Sequence, residues 1–399
     1  MKILIVSERY WPEVGAAPSR LANMAEGFKR EGNEVDVLTS LPNYPTGKIL
    51  DGYRGHVRKK EIHNGVNLSR YWIYATVSRN PIPRVLNMFS FAVMIWFFAV
   101  NVKRIRKYDA VIIQTPTLVV AVSAMLIFKG LYRKTCALNV SDIWPSTAVD
   151  MGVMKEGSLS WRFMHRCEKY LYRKSDAVLG QSNEILEHIK GYQNKGRFFL
   201  YRNLQKYDIG IDCRERNGRM KLVFCGMLGV AQNVAGIVKS VPFHDLDVEF
   251  HIIGGGKQAD EIKAWCESHP DSNVFFHGFV PKEQIPLCLK EMDASIVPLA
   301  GRIRGAVPSK IYDLLPQGLP ILFCGAGEAS DFILSHKVGF VSAPGDYDAL
   351  SANVAHLRDL SDEEFREMTA RCIRTSRNEL DFDLQMQRCC EFLKNLQEC

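Results

Sequence analysis

The chain has 399 residues, 47% hydrophobic, 24% charged and 10% aromatic, enough for two or three domains with sizeable cores. That apolar fraction excludes a mainly disordered chain, and 29 Gly and 17 Pro without a short period exclude collagen-like and low-complexity chains. The excess of 51 Lys+Arg over 44 Asp+Glu, a net charge of +7, suits an anionic ligand or a membrane surface and is too small to argue for nucleic acid.

The first element is the apolar run KILIV at residues 2–6, which predicts a buried parallel strand. Its apolar part is too short for a signal-peptide core. A loop with Pro12 and Gly15 follows; then Leu21, Met24, Ala25 and Phe28 recur at helical spacing and residues 34–39 alternate as a strand. Further strands are predicted at 110–114, 135–140 and 177–180, with a helix over 159–174. The polar stretch 202–219 has no periodicity and contains Gly210 and Gly218, so it reads as a domain boundary. A second apolar run opens at 221–225 before Gly226 and Gly229. Strands at 248–253, 274–277, 294–298, 320–324 and 339–341 follow, with a helix over 257–268. The tail 361–399 reads as helices. The expected architecture is α/β, two doubly wound Rossmann-like domains at 1–203 and 204–375, and a helix in 376–399 packing back on the first domain.

The eleven cysteines include no Cys-x-x-Cys pair, and the odd number suits no closed disulfide framework. They read as small apolar residues in a reducing cytosol, the vicinal pair Cys389 and Cys390 included.

Residues 85–102 (VLNMFSFAVMIWFFAVNV) are the most hydrophobic stretch, with Arg84 before and Lys103, Arg104, Arg106 and Lys107 after. Three readings are open: a buried domain helix, a helix lying in the membrane interface through Phe89, Trp96 and Phe97 with the basic flanks on anionic headgroups, and a membrane span. A span is disfavoured because the strand at 110–114 must rejoin the sheet at once. The apolar stretch 118–131 is placed to add to the same surface.

Several residues are placed for chemistry. Gly15, between the first strand and its helix, allows a ligand to approach backbone at a helix N-terminus, or is a simple loop glycine. Gly229 and Gln232 repeat that arrangement in the second half, and Gly254 and Gly255 end a strand where a base or ribose would lie against backbone. The spacing is not G-x-G-x-x-G, so a nicotinamide dinucleotide is not favoured. The segment AVPSKIYDLLPQGLPI (306–321) follows Arg302 and Arg304. Pro308 and Ser309 start a helix carrying Lys310 and Asp313. An Asp there can accept from a ribose diol and the cations can neutralise a diphosphate, or Asp313 is a solvated first-turn acid. The Asp-x-Asp triplets at 245–247 and 381–383 do not argue for a metal.

The blocks MKILIVSERYWPEVGAAPSR, LTSLPNYPTGKI, NVSDIWPSTAVDMGV, FCGMLGVAQN, HIIGGG, HGFVPKEQIPLCLKEMDASIVPL and VPSKIYDLLPQGLPI, with GEASDFI, occur together and in order. Across nearly its whole length the chain resembles glycosyltransferase family 4 of the GT-B fold. More narrowly it resembles bacterial capsule and O-antigen sugar transferases of the N-acetylfucosamine transferase type. The resemblance implies two Rossmann-like domains facing a central cleft and a UDP-linked amino or deoxyamino sugar donor held mainly by the second. The acceptor would be bound mainly by the first domain; the apolar stretch 85–102 and its basic flanks make a lipid-diphosphate-linked saccharide at the inner face of the cytoplasmic membrane the expected acceptor. The resemblance further implies retention of configuration and no metal or other cofactor; the small charge excess gives no reason to expect a nucleic-acid partner. Carried over, Gly15 lets its loop approach the phosphates or the acceptor. Gly229 and Gln232 border the diphosphate, Lys310 with Arg302 or Arg304 supplies cations, and Asp313 takes the ribose. Asp142 lies near the reacting sugar, or closes the turn before Pro145.

The family commonly carries two glutamates separated by seven residues; here those positions hold Gly305 and Asp313, so the first carboxylate is lost. Gln232 stands where a lysine often lies. A general base is not required, because the leaving phosphate is able to take the acceptor proton. Two alternatives are a GT-B nucleotide-sugar epimerase and a membrane-bound assembly subunit with a decayed site.

Overall fold

The computed structural model describes every residue except 79, 194, 195, 208–210, 217, 282, 283, 398 and 399, so part of the expected boundary stretch, Gly210 included, lies outside the described residues. The chain divides into two compact units, Met1–Asn203 with Phe382–Cys399, and Leu204–Asp381.

The first unit holds β1 (Lys2–Val6), β2 (Glu34–Ser40), β3 (Arg58–His63), β4 (Val66–Tyr71), β5 (Ala110–Gln114), β6 (Thr135–Val140), β7 (Ala177–Gly180) and β8 (Arg197–Leu200). They form one sheet in the order β3-β4-β2-β1-β5-β6-β7-β8. Only the β3–β4 pair is antiparallel. Central strands such as β5 and β7 are buried throughout, which is why they read as continuous apolar runs. From β1 the chain first builds outward through β2 and then crosses to β5 on the other side. This puts the topological switch point, where open α/β sheets bind ligands, at the C-terminal ends of β1 and β5.

The β3–β4 hairpin was not anticipated. Its signal was the Asn64-Gly65 turn, where both residues have positive φ, the geometry that favours tight hairpins. The strands themselves are a charged edge, RKKEIH, whose alternation carries little hydrophobic contrast.

The apolar segment differs from expectation at both ends. The helix runs Pro81–Ala99, starting on the N-terminal prolines, and Asn101 then caps a separate short helix, Val102–Arg106, by accepting from the Arg104 amide at 3.1 Å. Phe91, Ala92, Ile95, Phe98 and Ala99 form one stripe inside the unit's core, together with the Leu118–Met125 helix. The opposite face exposes Val85, Leu86, Phe89, Val93, Trp96, Phe97 and Val100. Eighteen residues of this helix, Ile82–Ala99, are long and apolar enough to cross a membrane, yet one face is part of the globular core. Leu126–Leu131 continues the Leu118–Met125 helix as a π-helical turn, exposing Leu126 and Leu131.

The C-terminal helix Phe382–Asn395 belongs to the first unit. Gly27, on the helix Ala16–Arg30, allows its approach: a Cβ there would lie 2.8 Å from Met386 Cγ. The helix before it, Asp362–Glu379, opens with a Ser361–Glu364 capping box and stays with the second unit. The expected boundary at 375/376 thus falls inside a helix, and the return to the first unit begins at Phe382. Cys389 and Cys390 are both buried free thiols, and burial pushes their ionisation up.

The second unit holds β9 (Met220–Cys225), β10 (Val248–Ile253), β11 (Val274–Gly278), β12 (Ala294–Pro298), β13 (Ile321–Cys324) and β14 (Gly339–Ser342). The sheet is parallel throughout, in the order β11-β10-β9-β12-β13-β14. Its switch point lies between β9 and β12. The two expected phosphate-facing segments, after KLVFC and after SIVPL, are therefore neighbours at one sheet edge.

Candidate active site

In the second unit the two glycine segments pack on each other. The Gly226 amide donates to the Ile253 carbonyl at 2.8 Å, and the Leu228 amide to the Gly255 carbonyl at 2.9 Å. A Cβ on Gly254 would sit 1.8 Å from the Gly226 oxygen, and one on Gly256 2.5 Å from the Leu228 oxygen. Gly254 is thus demanded by backbone approaching backbone, whereas a Cβ on Gly255 meets nothing within 4 Å and faces open space. Gly229 closes a turn by accepting from the Gln232 and Asn233 amides, and the Gln232 Oε1 folds back to 2.8 Å from the ideal Cβ position of Gly229.

Lys310 lies on the helix Ser309–Leu314 beside this loop, its ammonium 4.0 Å from the centroid of the Phe224 ring. A Cβ on Gly226 would fall 2.3 Å from Lys310 Nζ, so glycine makes the space for the ammonium. Burial lowers the Lys310 pKa to about 8, against the opposing pull of Cys225 and Asp313, while burial pushes the neighbouring Cys225 thiol up to about 11. An ammonium held this way at a glycine loop can receive an anionic diphosphate, whose charge would restore its proton. Ser309 is the first residue of the helix; its hydroxyl makes no hydrogen bond among the described residues.

Asp313 is engaged within the protein: its Oδ1 accepts from Tyr207 Oη at 2.8 Å and from Gln205 Nε2 at 3.2 Å. It is therefore not a solvated first-turn acid, and a ribose diol would have to share or displace these donors. Sequence reasoning missed Tyr207 and Gln205, which lie in the polar stretch read only as a boundary. Arg302 and Arg304 are exposed on the loop after β12. Gly305, where the family pattern has a glutamate, adopts φ 74° and is buried, so the loop's backbone itself disfavours a side chain there.

In the first unit the loop after β1 is built around two carboxylates. Glu13 is buried and binds three backbone amides, Asn43 and Tyr44 at 2.8 Å and Tyr10 at 3.3 Å, which ties this loop to the chain after β2. Glu8, also buried, has no hydrogen-bond donor on its carboxylate among the described residues; its nearest cation is Arg9, whose Nε is 4.0 Å away. Burial raises its pKa to about 7, with Arg9 opposing and Glu13 reinforcing the rise. The sequence offered only a Glu two residues past a strand; its burial at the switch point is tertiary. Gly15 N-caps the Ala16–Arg30 helix with φ 153° and ψ 170°, a conformation L side chains rarely adopt.

Asp142 follows β6, beside Arg20. The Arg20 guanidinium donates to Gln181 Oε1 at 2.9 Å and Ser141 Oγ at 2.5 Å, and a chain continues through Gln114 and Asn139 along the ends of β5 and β6. Burial pushes the Asp142 carboxyl up and Arg20 pulls it down. The turn before Pro145 is closed by the Asp142 carbonyl, which accepts from the Trp144 amide at 3.0 Å, so the carboxylate is not the group that closes it.

Of the expected membrane residues, Phe89, Trp96, Phe97, Lys103, Arg106 and Lys107 are exposed. Arg104 is not presented in the same way. Its guanidinium stacks 3.9 Å from the Phe98 ring centroid and donates to the Phe98 carbonyl at 2.8 Å, satisfying the end of the apolar helix.

Residues 15–196 match the model of the Glycosyl transferase 4-like domain, and residues 219–359 that of Glycosyl transferases group 1. A protein of Escherichia coli K12 named as the colanic acid biosynthesis glycosyl transferase WcaI is 22% identical over 335 residues, covering 80% of this chain and 82% of its own. Sucrose-phosphate synthase from Thermosynechococcus elongatus superposes with a TM-score of 0.71 at 11% identity, over 99% of this chain and 98% of that one. Anabaena HepE in complex with UDP gives 0.69 at 14% identity, over 99% and 100%. These structural likenesses show the GT-B fold.

Proposed function

Because the chain is a glycosyltransferase built of a Glycosyl transferase 4-like domain and a Glycosyl transferases group 1 domain, we propose that it moves a sugar from a UDP-linked donor to a lipid-diphosphate-linked saccharide in bacterial surface polysaccharide synthesis. The observation that carries this reading is the pair of interlocked glycine loops with the half-buried Lys310 ammonium at the switch point of the second unit. A likeness to HepE, which is described with UDP, and to WcaI, named for colanic acid synthesis, supports the nucleotide and the pathway class. The donor is proposed to be an N-acetylated amino or deoxyamino sugar, as in transferases of the N-acetylfucosamine type.

In this reading Lys310 and one of Arg302 or Arg304 stabilise the charge growing on the leaving diphosphate, so that no metal is needed, and Gly255 leaves room for the nucleoside. Asp313 exchanges its Tyr207 or Gln205 hydrogen bond for a ribose hydroxyl. The anomeric carbon passes through an oxocarbenium-like state and configuration is retained. Asp142 and the Glu13-anchored loop of the first unit hold the acceptor. The exposed apolar face of the Pro81–Ala99 helix, with Lys103, Arg106 and Lys107, lies in the interface of an anionic bilayer and brings the lipid-linked acceptor to that unit.

The test is a thermal-shift screen of UDP- and GDP-sugars, followed by mass-spectrometric transfer to a polyprenyl-diphosphate-linked monosaccharide in anionic vesicles. A single UDP-sugar that stabilises the protein and is transferred with retention supports the proposal. Stabilisation without transfer would indicate a decayed site, for which Gly305 is the structural motive. A donor sugar epimerised without acceptor would identify an epimerase.

A further inference from the structure

In the first unit, residues 72–77 carry on past the C-terminal end of β4, and neighbouring segments hold their backbone on both sides. The Trp72 amide donates to the Val57 carbonyl at 2.9 Å, the Tyr74 amide to Ser90 Oγ at 2.9 Å, and the Tyr74 carbonyl accepts from Asn87 Nδ2 at 2.8 Å. A Cβ on Gly47, in the loop after β2, would lie 2.6 Å from the Val77 amide nitrogen, so that loop closes on the same segment. Burial alternates as along a strand. Tyr71 and Ile73 enter the core shared with the Pro81–Ala99 helix, whereas Trp72 and Tyr74 are 40% and 37% exposed. The two aromatic side chains thus leave the backbone on the side away from that core.

Neither ring stacks on another ring or under a cation, and neither Trp72 Nε1 nor Tyr74 Oη makes a hydrogen bond among the described residues. Each side chain offers a flat apolar face with one polar edge group, on a backbone already fixed. A pyranose needs that combination, because its axial C–H bonds form an apolar face and its hydroxyls form a polar rim. A lipid chain has no use for the polar edge, and the exposed apolar face that fits a bilayer lies on the Pro81–Ala99 helix instead. Position narrows the choice of sugar. β4 is two strands from β1, so the pair stands at the ligand-binding edge of the sheet about 10 Å from its switch point, more than the width of one sugar ring. Tyr74 is tied to the first half of the helix whose outer face is given to the bilayer.

We propose that Trp72 and Tyr74 hold a sugar of the acceptor other than the one that reacts, the sugar next to the lipid diphosphate, so that the acceptor carries at least two sugars. This rests on the transferase reading above and deepens it from a saccharide to an oligosaccharide. With its lipid along the Pro81–Ala99 helix and its terminal sugar at the switch point, such an acceptor passes Trp72 and Tyr74 on the way. The two rings take no part in bond making; they set where the acceptor lies and how long it must be.

The test uses the UDP-sugar found by the screen and, in anionic vesicles, polyprenyl diphosphate bearing a panel of disaccharides, one sugar, or none. The wild type should use a disaccharide acceptor with a KM about tenfold below that of the monosaccharide. Trp72→Ala should remove this advantage, with kcat at saturation within threefold and UDP affinity within twofold, and Trp72→Phe, which keeps a ring face, should retain most of it. A wild type with equal KM for both acceptors, or a Trp72→Ala enzyme whose two KM values rise equally, would overturn the proposal. If Trp72→Ala fails to fold, fluorine NMR of the 5-fluorotryptophan-labelled wild type decides, with the Trp72 resonance assigned from the Trp72→Phe spectrum. A shift with the disaccharide lipid and none with polyprenyl diphosphate alone supports the subsite; no shift, or an equal shift with the sugarless lipid, overturns it. A wild type inactive on every donor would overturn the transferase reading, whereas the fluorine shift needs no turnover and reads the subsite separately.

Discussion

Glu8→Gln should stabilise the protein, by an amount that depends on pH in a defined way. The carboxyl pKa rises from 4.5 in the unfolded chain to about 7 in the fold because the charge is buried. Below pH 4.5 both states hold the proton. Between 4.5 and 7 the unfolded state has released it and the folded state has not, so wild-type stability falls as pH rises, and the loss is complete above 7. A rise from 4.5 to about 7 corresponds to about 3 kcal/mol. Glutamine does not titrate, so the advantage of the variant over wild type should grow by about 3 kcal/mol between pH 4.5 and 8 and then stay level. Of the six tryptophans, Trp11, Trp72, Trp96, Trp144 and Trp161 lie in the first unit and Trp265 in the second, so urea unfolding followed by tryptophan fluorescence reports mainly the unit that holds Glu8. For a unit of this size the same difference corresponds to roughly 6–12 °C in Tm at pH 8. A difference that is flat from pH 5 to 8 would show that Glu8 titrates as a solvated acid.

Four further outcomes follow from the geometry. Gly254→Ala, which drives a Cβ to 1.8 Å from the Gly226 oxygen, should destabilise the second unit by about 3 kcal/mol or more in urea titration, whereas Gly255→Ala, with no atom within 4 Å, should cost under about 0.5 kcal/mol. With its pKa near 8, Lys310 is mostly neutral at pH 9, so UDP binding there should take up close to one proton, measured by calorimetry in buffers of different ionisation enthalpy. Lys310→Met should abolish that uptake, and no uptake in the wild type would take the ammonium off the diphosphate. Asp313→Ala should lower UDP affinity more than tenfold with little effect on acceptor binding, and Tyr207→Phe should change UDP affinity less than threefold; equal losses would make Asp313 an anchor for the 204–207 segment. Val93→Glu with Phe97→Glu, at positions 53% and 62% exposed, should leave Tm unchanged but lower flotation on anionic vesicles at least tenfold. Unchanged flotation would dissociate the helix from the bilayer.

Much of the fold was legible because local pattern and tertiary position agree. KILIV, AVIIQ and VEFHII are apolar runs bounded by polar residues, and the central strands of a sheet covered on both faces have no other way to read. The edge hairpin was not legible by hydrophobic period, since RKKEIH faces solvent, although its Asn64-Gly65 turn was there to be read. The length of the apolar helix was misjudged at both ends for a local reason, the prolines before it and the Asn101 cap after it.

The candidate site divides along the same line. Residue types at turn and helix starts marked Gly15, Gly229, Gly254, Lys310 and Asp313, because glycine and first-turn chemistry are determined within a few residues of sequence. What each glycine is for was decided by the tertiary structure: Gly254 serves the backbone of Gly226, and Gly226 serves the ammonium of Lys310, partners dozens of positions away. The same holds for charge. Composition determined a mild cationic excess, but only burial and long-range hydrogen bonds decided that Asp313 is tied to Tyr207, that Arg104 closes a helix end, and that the Glu8 pKa is pushed up. A side chain's type is set by the sequence, whereas its dielectric surroundings and its partners exist only once distant segments have packed around it.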